Sequence, residues 1–284
     1  MGTEQQTDDD QAARWNGPAG HIWVEKQGLL DDLLRPLQEL LVEELPAGSD
    51  DRVLDVGCGT GSTTVAVARR LGPAGHCVGV DISEPMITAA RARAEREGVP
   101  ASFVAADATQ YPFEPASFDA VVSRLGVMFF DDSRQAFAHL RRAAKDDARL
   151  RFVAWRGAAE NPFMTTAERA AAPLVPELPA RRPDGPGQFA FADPDTVRGI
   201  LTDSGWTDVG IRPVELPCTL PTSELVGYFT RLGPLGLILP TVDEETRPHL
   251  IETVRAAFEP FVQGADVRFT AACWLVSARV SSAP

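Results

Sequence analysis

The stretch Val53-Leu54-Asp55-Val56-Gly57-Cys58-Gly59-Thr60-Gly61 decides the fold of this chain. An apolar run carries an acid near its end, glycines follow at every second position, and an alanine-rich helical pattern begins at Ser62. This order predicts a β-strand that turns sharply into a helix, as in nucleotide-binding folds. Glycine permits the sharp turn and a close ligand, and the first N–H groups of the helix are free to face that ligand.

Two features of this turn argue against a dinucleotide ligand. The pattern that cradles a pyrophosphate is G-x-G-x-x-G, but here Ser62 occupies the place of its last glycine. In addition, Asp55 stands just before the glycines, and its carboxylate would repel a pyrophosphate. A carboxylate at this position suits a ligand that carries an ammonium and a sulfonium group.

Acidic residues also follow the next two predicted strands. Strand 2, residues 77–81, ends in Asp81, at the distance from the glycines where a nucleotide-binding fold places its ribose acid. Strand 3, residues 102–105, is followed by Asp107, which can accept an N–H from an adenine amino group. An aspartate after a strand can also be an ordinary turn residue.

The glycine turn with its three acids resembles motif I and the following motifs of the class I S-adenosylmethionine (SAM)-dependent methyltransferases. The runs 15–24, 126–130 and 191–209 are similar to a small-molecule branch that includes natural-product enzymes. The resemblance implies SAM as cofactor and S-adenosylhomocysteine as product. It also implies a set of cofactor-binding residues, which comprises Asp55, Gly57, Gly59, Gly61, Asp81, Ile82, Met86, Asp107, Ala108 and Ser123.

The alternation of strands and helices up to Trp155 predicts an α/β fold. We expect a doubly wound, Rossmann-like sheet of seven strands, six parallel and the last antiparallel, with helical cap insertions. Because proline disrupts helices, we expect a kink or a fresh helix start at Pro36, a strained helix at Pro248 and a break of the helical pattern over 233–240. The predicted segments are a disordered tail (1–13), an N-terminal helical lid (14–48), a SAM-binding core (49–156), a cap insertion (157–192), a core helix and strand 6 (193–216), a second cap insertion (217–264) and the final strand (265–284).

The acceptor site is expected under a roof. Ligands of doubly wound sheets bind beyond the carboxyl ends of the parallel strands, where the lid and both insertions emerge. An enclosed apolar chamber favours a small organic acceptor over a polymer. The tryptophans around the 17–20 turn are either lid residues or ordinary anchors, and the apolar run 125–130 is either buried packing or the floor of the pocket. The candidate substrate-binding residues are Trp15, Trp23, Met128, Phe129 and Tyr228.

Catalysis requires little from the protein beyond alignment of donor and acceptor and exclusion of water. A base is needed only for an acceptor that arrives protonated, and His21 is the candidate because histidine titrates near neutral pH. His21 can equally be an ordinary lid histidine; Glu25 and Tyr228 are weaker candidates. No histidine or cysteine spacing indicates a metal site.

Composition narrows the possible partners. The net charge of −13 and the lack of basic clusters disfavour binding to nucleic acid or anionic membranes. The four cysteines show no paired spacing, and no signal-type or membrane-spanning segment is recognisable, so we expect a cytoplasmic protein. Whether it is a monomer or a homodimer stays open.

Two alternative functions are kept. A SAM-binding enzyme that does not transfer methyl groups, such as a cyclase, could use the same scaffold. A nicotinamide oxidoreductase is disfavoured by Asp55 and by the glycine spacing.

Overall fold

A computed structural model describes residues 11–176, 178 and 185–281 of the chain. Seven long strands form one sheet, and a two-residue strand pairs at its margin. In chain order the strands are β1 (Arg52–Val56), β2 (His76–Asp81), β3 (Ala101–Ala105), β4 (Phe118–Arg124), β5 (Ala144–Trp155), β6 (Thr207–Pro221), β7 (Val262–Gln263) and β8 (Asp266–Arg279).

The order of strands across the sheet is β3-β2-β1-β4-β5-β8-β6, and β7 pairs with β8. Strands β3, β2, β1, β4 and β5 pair in parallel, whereas β8 is antiparallel to both β5 and β6. Strand β6 therefore runs in the same direction as the other five. The predicted fold, with six parallel strands and an antiparallel last one, is confirmed, and only the short β7 was not foreseen.

Helices cover both faces of this sheet, as the strand–helix alternation requires. They are α1 (Pro18–Glu25), α2 (Gln27–Glu43), α3 (Ser62–Arg70), α4 (Glu84–Glu97), α5 (Ser133–Ala143), α6 (Pro162–Ala171), α7 (Pro194–Asp203), α8 (Leu225–Arg231), α9 (Gly233–Ile238) and α10 (Thr246–Ala257). Local signals set several ends: Ser83, Asp132 and Asp193 accept hydrogen bonds from the first turns of α4, α5 and α7.

The predicted effects of proline on the helices were partly right: the helix before Gly233 ends at Arg231, whereas no new helix starts at Pro36. Helix α2 continues through Pro36, because its buried leucine stripe outweighs the one lost backbone hydrogen bond. Pro248 is the third residue of α10, where the missing N–H would have no partner within the helix anyway. The segment 233–240 breaks the preceding helix, as predicted, and itself contains the short helix α9 and a 3₁₀ turn.

The N-terminal segment also differs from the prediction. Residues 11–16 are helical, as are Pro18–Glu25, so that Gly17 is a single turn residue between two helical stretches. Helix therefore begins within the tail that we expected to be disordered, whose residues 1–10 lie outside the described part of the chain. Residues 177 and 179–184 of the predicted loop and 282–284 of the final segment lie outside it as well.

Strand β6 runs five residues further than the sequence predicted, to Pro221, so the second insertion begins at 222 instead of 217. The additional part contains Pro217 and Pro221. Proline is tolerated there because β6 pairs only with β8 and its other side needs no backbone donor.

The two insertions share an aromatic core, which we call the Phe163 cluster: Phe163, Tyr228, Phe258, Phe261 and Phe269. The ring of Phe163, in the first insertion, stacks on Phe269 of β8 at 3.9 Å and meets Phe258 of the second insertion at 5.1 Å. Aromatic pairs of this kind add about 0.5–1.5 kcal/mol each beyond the area they bury. The cap is therefore packed onto the sheet and forms one body with it.

Candidate active site

The glycine turn after β1 is held by neighbouring backbone. Gly57 N–H donates to the Val80 carbonyl at 2.9 Å, which ties the turn to β2. At Gly57 φ is +68°, and a Cβ would lie 2.7 Å from the Gly126 Cα, so only glycine fits where the β1 and β4 loops touch. Gly61, with φ +81°, ends the turn and starts α3. The predicted turn geometry is thus present, and part of it serves packing between strands.

Asp81 lies at the end of β2 and binds the turn directly. Its Oδ2 accepts the Gly59 N–H at 2.8 Å, and its Oδ1 accepts the Ser83 N–H at 2.9 Å. Burial raises the pKa of Asp81, while these backbone donors lower it. A carboxylate oxygen has two lone pairs, so each oxygen can still accept a bond from a ligand hydroxyl. This arrangement fits the predicted role in holding a ribose.

Asp55 is almost completely buried at the end of β1, with 1% of its surface exposed. Its Oδ2 accepts the Thr64 hydroxyl at 2.7 Å, but its Oδ1 has no hydrogen-bond partner among the described residues. Burial raises its pKa to about 6; Thr64 and the Arg124 charge lower it, and the Asp81 charge raises it. The two carboxylates are therefore close enough to repel each other, as expected for one shared cleft.

Asp107 follows β3, next to β2, and shapes the loop after the strand. Its Oδ1 accepts the Thr109 N–H and its Oδ2 the Thr109 hydroxyl, both at 2.8 Å. The Ala106 N–H donates to the Asp81 carbonyl at 2.9 Å, so this loop begins beside the ribose acid. Ala108 is buried behind it in the main core. Asp107 thus has the turn role that the sequence allowed, and its predicted contact with adenine stays a prediction.

The N-terminal segment docks on the turn after β2. The Ser83 hydroxyl donates to the Trp15 carbonyl at 2.6 Å. Asn16 donates to the Ile82 carbonyl at 3.1 Å and accepts the Glu84 N–H at 2.9 Å. The lid position, directly after Asp81, agrees with the sequence-based expectation. Sequence analysis missed Asn16, although an amide-bearing residue before a Gly-Pro helix start was a visible signal.

Three of the predicted substrate-binding aromatics meet at this place. The Trp15 ring packs edge-on against Trp23 at 6.0 Å and against Phe129 at 5.5 Å. Phe129 belongs to the apolar run after β4, so Trp15 connects the lid to the end of that strand. Tyr228 lies elsewhere, in the Phe163 cluster, 5.6 Å from the Phe163 ring.

Two of the predicted site residues, Ser123 and Met128, are engaged in contacts within the protein. Ser123 is fully buried, and its hydroxyl donates to the Val56 carbonyl at 2.7 Å and accepts the Gly126 N–H at 3.2 Å. Met128 is 1% exposed, and its sulfur accepts the Trp155 N–H at 3.4 Å. The Ser123 hydroxyl thus fixes the β4 loop and the Met128 side chain packs in the core, and their predicted contacts with ligands stay predictions.

Of the remaining predicted residues, Met86 and Ile82 lie at the turns after β1 and β2, whereas His21 lies on the surface. Met86 is buried, with its sulfur 3.7 Å from where a Gly59 Cβ would stand, so it supports the glycine turn from below. Ile82 is half-buried and engages the lid through its carbonyl. His21 is exposed on α1, and no contact of its side chain with the strand ends is seen among the described residues. The structure therefore gives no support for His21 as a base.

Metal-binding and membrane-spanning features were searched in the described ranges. There, no group of three or more His, Cys, Asp or Glu side chains could hold a metal ion. Within the same ranges, every helix is too short or too polar to cross a bilayer.

The donor set of this site fits SAM. Asp81 can accept bonds from two ribose hydroxyls, and the unpartnered Oδ1 of Asp55 can accept an ammonium N–H. The glycine turn leaves room where side chains would block a ligand. A pyrophosphate would instead face two carboxylates, Asp55 and Asp81.

Comparison with known proteins agrees with this geometry. A family model described as "Methyltransferase domain" matches residues 53–147. Nocamycin O-methyltransferase of Saccharothrix syringae is 28% identical over 69% of this chain and 74% of that protein. Demethylmenaquinone methyltransferase of Renibacterium salmoninarum is 28% identical over 72% of this chain and 86% of that protein.

Among solved structures, phosphoethanolamine N-methyltransferase 2 of Haemonchus contortus in complex with SAM aligns with a TM-score of 0.59. It is 17% identical, and the alignment covers 96% of this chain and 60% of that one. This likeness concerns the fold. The family match over residues 53–147 and the two relatives, both named methyltransferases, support a class I SAM-dependent methyltransferase.

Proposed function

We propose that this enzyme transfers the methyl group of SAM to a small organic acceptor held under a closed roof. The observation that supports the proposal most is the way the lid and both insertions are joined above the cofactor edge. A closed roof excludes water and polymers but admits a small molecule. Nocamycin O-methyltransferase, a relative, bears the name of a small organic acceptor, which agrees with this class.

The lid and the two insertions are joined by ion pairs and by aromatic packing. At the end of the lid, Lys26 pairs with Glu224 at 3.5 Å, and Glu25 pairs with Arg231. Both partners belong to the second insertion. The second insertion in turn packs on the first through Phe163 and Tyr228. The second insertion thus contacts both the lid and the first insertion.

When bound, SAM supplies an electrophilic methyl group on a sulfonium. The residues of this chain bind and orient: Asp81 takes the ribose hydroxyls, Asp55 the ammonium, and the Asp107–Ala108 segment the adenine. The aromatic side chains of Trp15, Trp23 and Phe129 keep water away. Because His21 is exposed, we assign it no proton transfer, and the proposal favours an acceptor that reacts without a buried histidine base.

Calorimetric titration with S-adenosylhomocysteine tests the cofactor site. Asp81→Asn is expected to lower the affinity by about 10-fold or more, because a charged acceptor of two hydroxyl bonds is lost. Asp119→Asn is the matched control: Asp119 pairs with Lys145 at the opposite end of β4 and should leave the affinity unchanged. Absence of binding by the wild-type chain, or equal affinities for wild type and Asp81→Asn, would refute the site.

Mass spectrometry of the product separates methyl transfer from cyclisation. Incubation with SAM and a panel of phenols, amines and carboxylic acids is expected to give a product one methylene heavier than its acceptor, together with S-adenosylhomocysteine. A product of unchanged mass that forms only in the presence of SAM would favour the cyclase alternative instead.

A further inference from the structure

The lid extends across the glycine turn. In the sheet, β1 lies between β2 and β4, and the lid contacts the loops that follow both of these neighbours. Asn16 bonds to the turn after β2, and the Trp15 ring packs on Phe129 in the run after β4. Residues 11–25 therefore lie across the carboxyl end of β1, where the proposed function places the cofactor.

Helix α1 of the lid is held by little apolar packing. Of its eight residues only Gly20 is buried, whereas α2 is fixed to the sheet by a stripe of buried leucines. Lys26 is the single residue between these two helices. Residues 11–25 are thus a thinly packed arm that joins a fixed helix at Lys26. Segments with few buried contacts open locally at a low cost in free energy.

Two ion pairs fasten the end of this arm to the cap. Glu25 pairs with Arg231, the last residue of α8. Lys26 pairs with Glu224, the residue before α8, at 3.5 Å. The Lys26 ammonium lies against the middle of α8, 3.6 Å from where a Cβ of Gly227 would stand. Both segments carry one acid and one base, so an exchange of partners would bring like charges together. The pairing therefore specifies one position of α1 against α8.

The exposure of the two pairs sets their strength. The exposed fraction is 23% for the Lys26 side chain and between 43% and 52% for its three companions. An exposed ion pair shifts an equilibrium by up to about fivefold, so two pairs shift it by up to about 30-fold. Salt weakens them, because the Debye length falls from about 10 Å at 0.1 M to about 3 Å at 1 M. Pairs of this strength bias the lid towards the closed position and still let it open.

We propose that the two ion pairs, Glu25–Arg231 and Lys26–Glu224, form a latch that holds the lid closed and thereby controls access to the cofactor edge. Breaking the latch leaves residues 11–25 held by their contacts at the turn after β2 and at Phe129, and it raises the fraction of molecules in which the arm is detached. The control of access rests on the proposed function, whereas the opening of the lid is a property of the chain alone.

Hydrogen exchange of residues 11–25 in the ligand-free chain measures the opening, because a detached helix of eight residues frays in water. Raising the salt concentration from about 0.1 M to about 1 M should speed this exchange by about 3- to 30-fold, since the latch is screened. Exchange in β1, which the latch does not touch, should stay unchanged.

A charge exchange separates the pairing from a general loss of stability. Lys26→Glu should speed the exchange of residues 11–25, because it places an acid opposite Glu224. The double variant Lys26→Glu/Glu224→Lys restores opposite charges and should return the exchange to within about twofold of wild type. Arg134→Gln is the control variant: it removes an equally exposed type of ion pair, to Asp203 between α5 and α7, and should leave the lid unchanged.

Stopped-flow binding of S-adenosylhomocysteine tests the control of access. If ligand enters only through the open form, its association rate constant is proportional to the open fraction. This rate constant should therefore rise in Lys26→Glu by the same factor as the exchange, and fall back in the double variant. The ligand is a zwitterion without net charge, so the protein field contributes little steering that salt could remove.

The outcomes distinguish the latch from the proposed function. The latch is overturned if exchange of residues 11–25 does not respond to salt, or if the double variant exchanges as fast as Lys26→Glu. An unchanged association rate in a variant whose lid exchanges faster overturns the control of access. If the wild-type chain does not bind S-adenosylhomocysteine, the proposed function fails and the control of access with it, whereas the exchange experiment decides on the latch independently.

Discussion

Replacing Asp55 by asparagine should change how stability depends on pH. Asp55 is buried at the end of β1 with one oxygen unpartnered, and burial raises its pKa from the ordinary 3.8 to about 6. In the ligand-free protein, ionisation of this group therefore costs free energy. Asparagine has the same shape and can still accept the Thr64 hydroxyl bond, but it has no charge to desolvate.

The sign and the size of this effect on the free energy of unfolding follow from the folded and unfolded pKa values of Asp55. Because the folded value is the higher one, the folded state holds this proton more tightly than the unfolded chain. The favourable contribution is complete below pH 3.8 and is lost as pH rises to about 6. One pKa unit corresponds to about 1.36 kcal/mol, so the loss across this window is about 3 kcal/mol. Asp55→Asn lacks this loss.

Urea unfolding at a series of pH values, for wild type and Asp55→Asn in parallel, measures the effect. The difference in free energy of unfolding between the two proteins reports the titration of Asp55 together with its repulsion of Asp81, because the remaining groups titrate in both. It should move by about 2.4 kcal/mol in favour of the variant between pH 4 and pH 7. A difference that stays constant over this range would show that Asp55 is not desolvated as described.

Three further predictions concern packing. Gly57→Ala should destabilise the protein by about 2 kcal/mol or more, because the new Cβ would meet Gly126 at 2.7 Å. Gly199→Ala is the control: it lies in α7 with open space around it and should stabilise the protein by up to about 1 kcal/mol. Thermal melts compare the two variants. Trp15→Ala should increase hydrogen exchange over residues 11–25, since two ring contacts are lost, while exchange in β1 stays slow. All four cysteines are buried and burial raises the pKa of each thiol, so none should react with an alkylating reagent at pH 8 until the chain is unfolded.

The parallel part of the fold was predictable because its signals are local. An apolar run, a glycine turn and a capped helix occur within about 15 residues of each other, the span of one strand–helix unit. The errors concern elements whose form depends on distant packing. Helix α2 continues through Pro36 because leucines on both sides are buried against the sheet, which no local rule weighs against a proline.

The sequence predicted the position of a site residue where that residue lies at the carboxyl end of a strand. Asp55 and Asp81 follow this rule, and the structure brings their charges into interaction. Ser123 follows it as well, but its hydroxyl is consumed by backbone groups of β1 and its own loop. Asn16 was not singled out because its contacts with Ile82 and Glu84 join segments more than 60 residues apart, which the order of residues along the chain does not reveal.

The attachment of the lid has a consequence for the order of events in turnover. Asp81 and Trp15 both bond to Ser83, and the same N-terminal segment ends at Lys26, which pairs with Glu224 of the cap. Under the function we propose, displacing the cap to admit an acceptor would pull on Ser83, the residue that holds the Asp81 carboxylate. We therefore expect the nucleoside to bind first and the acceptor second, with release in the reverse order.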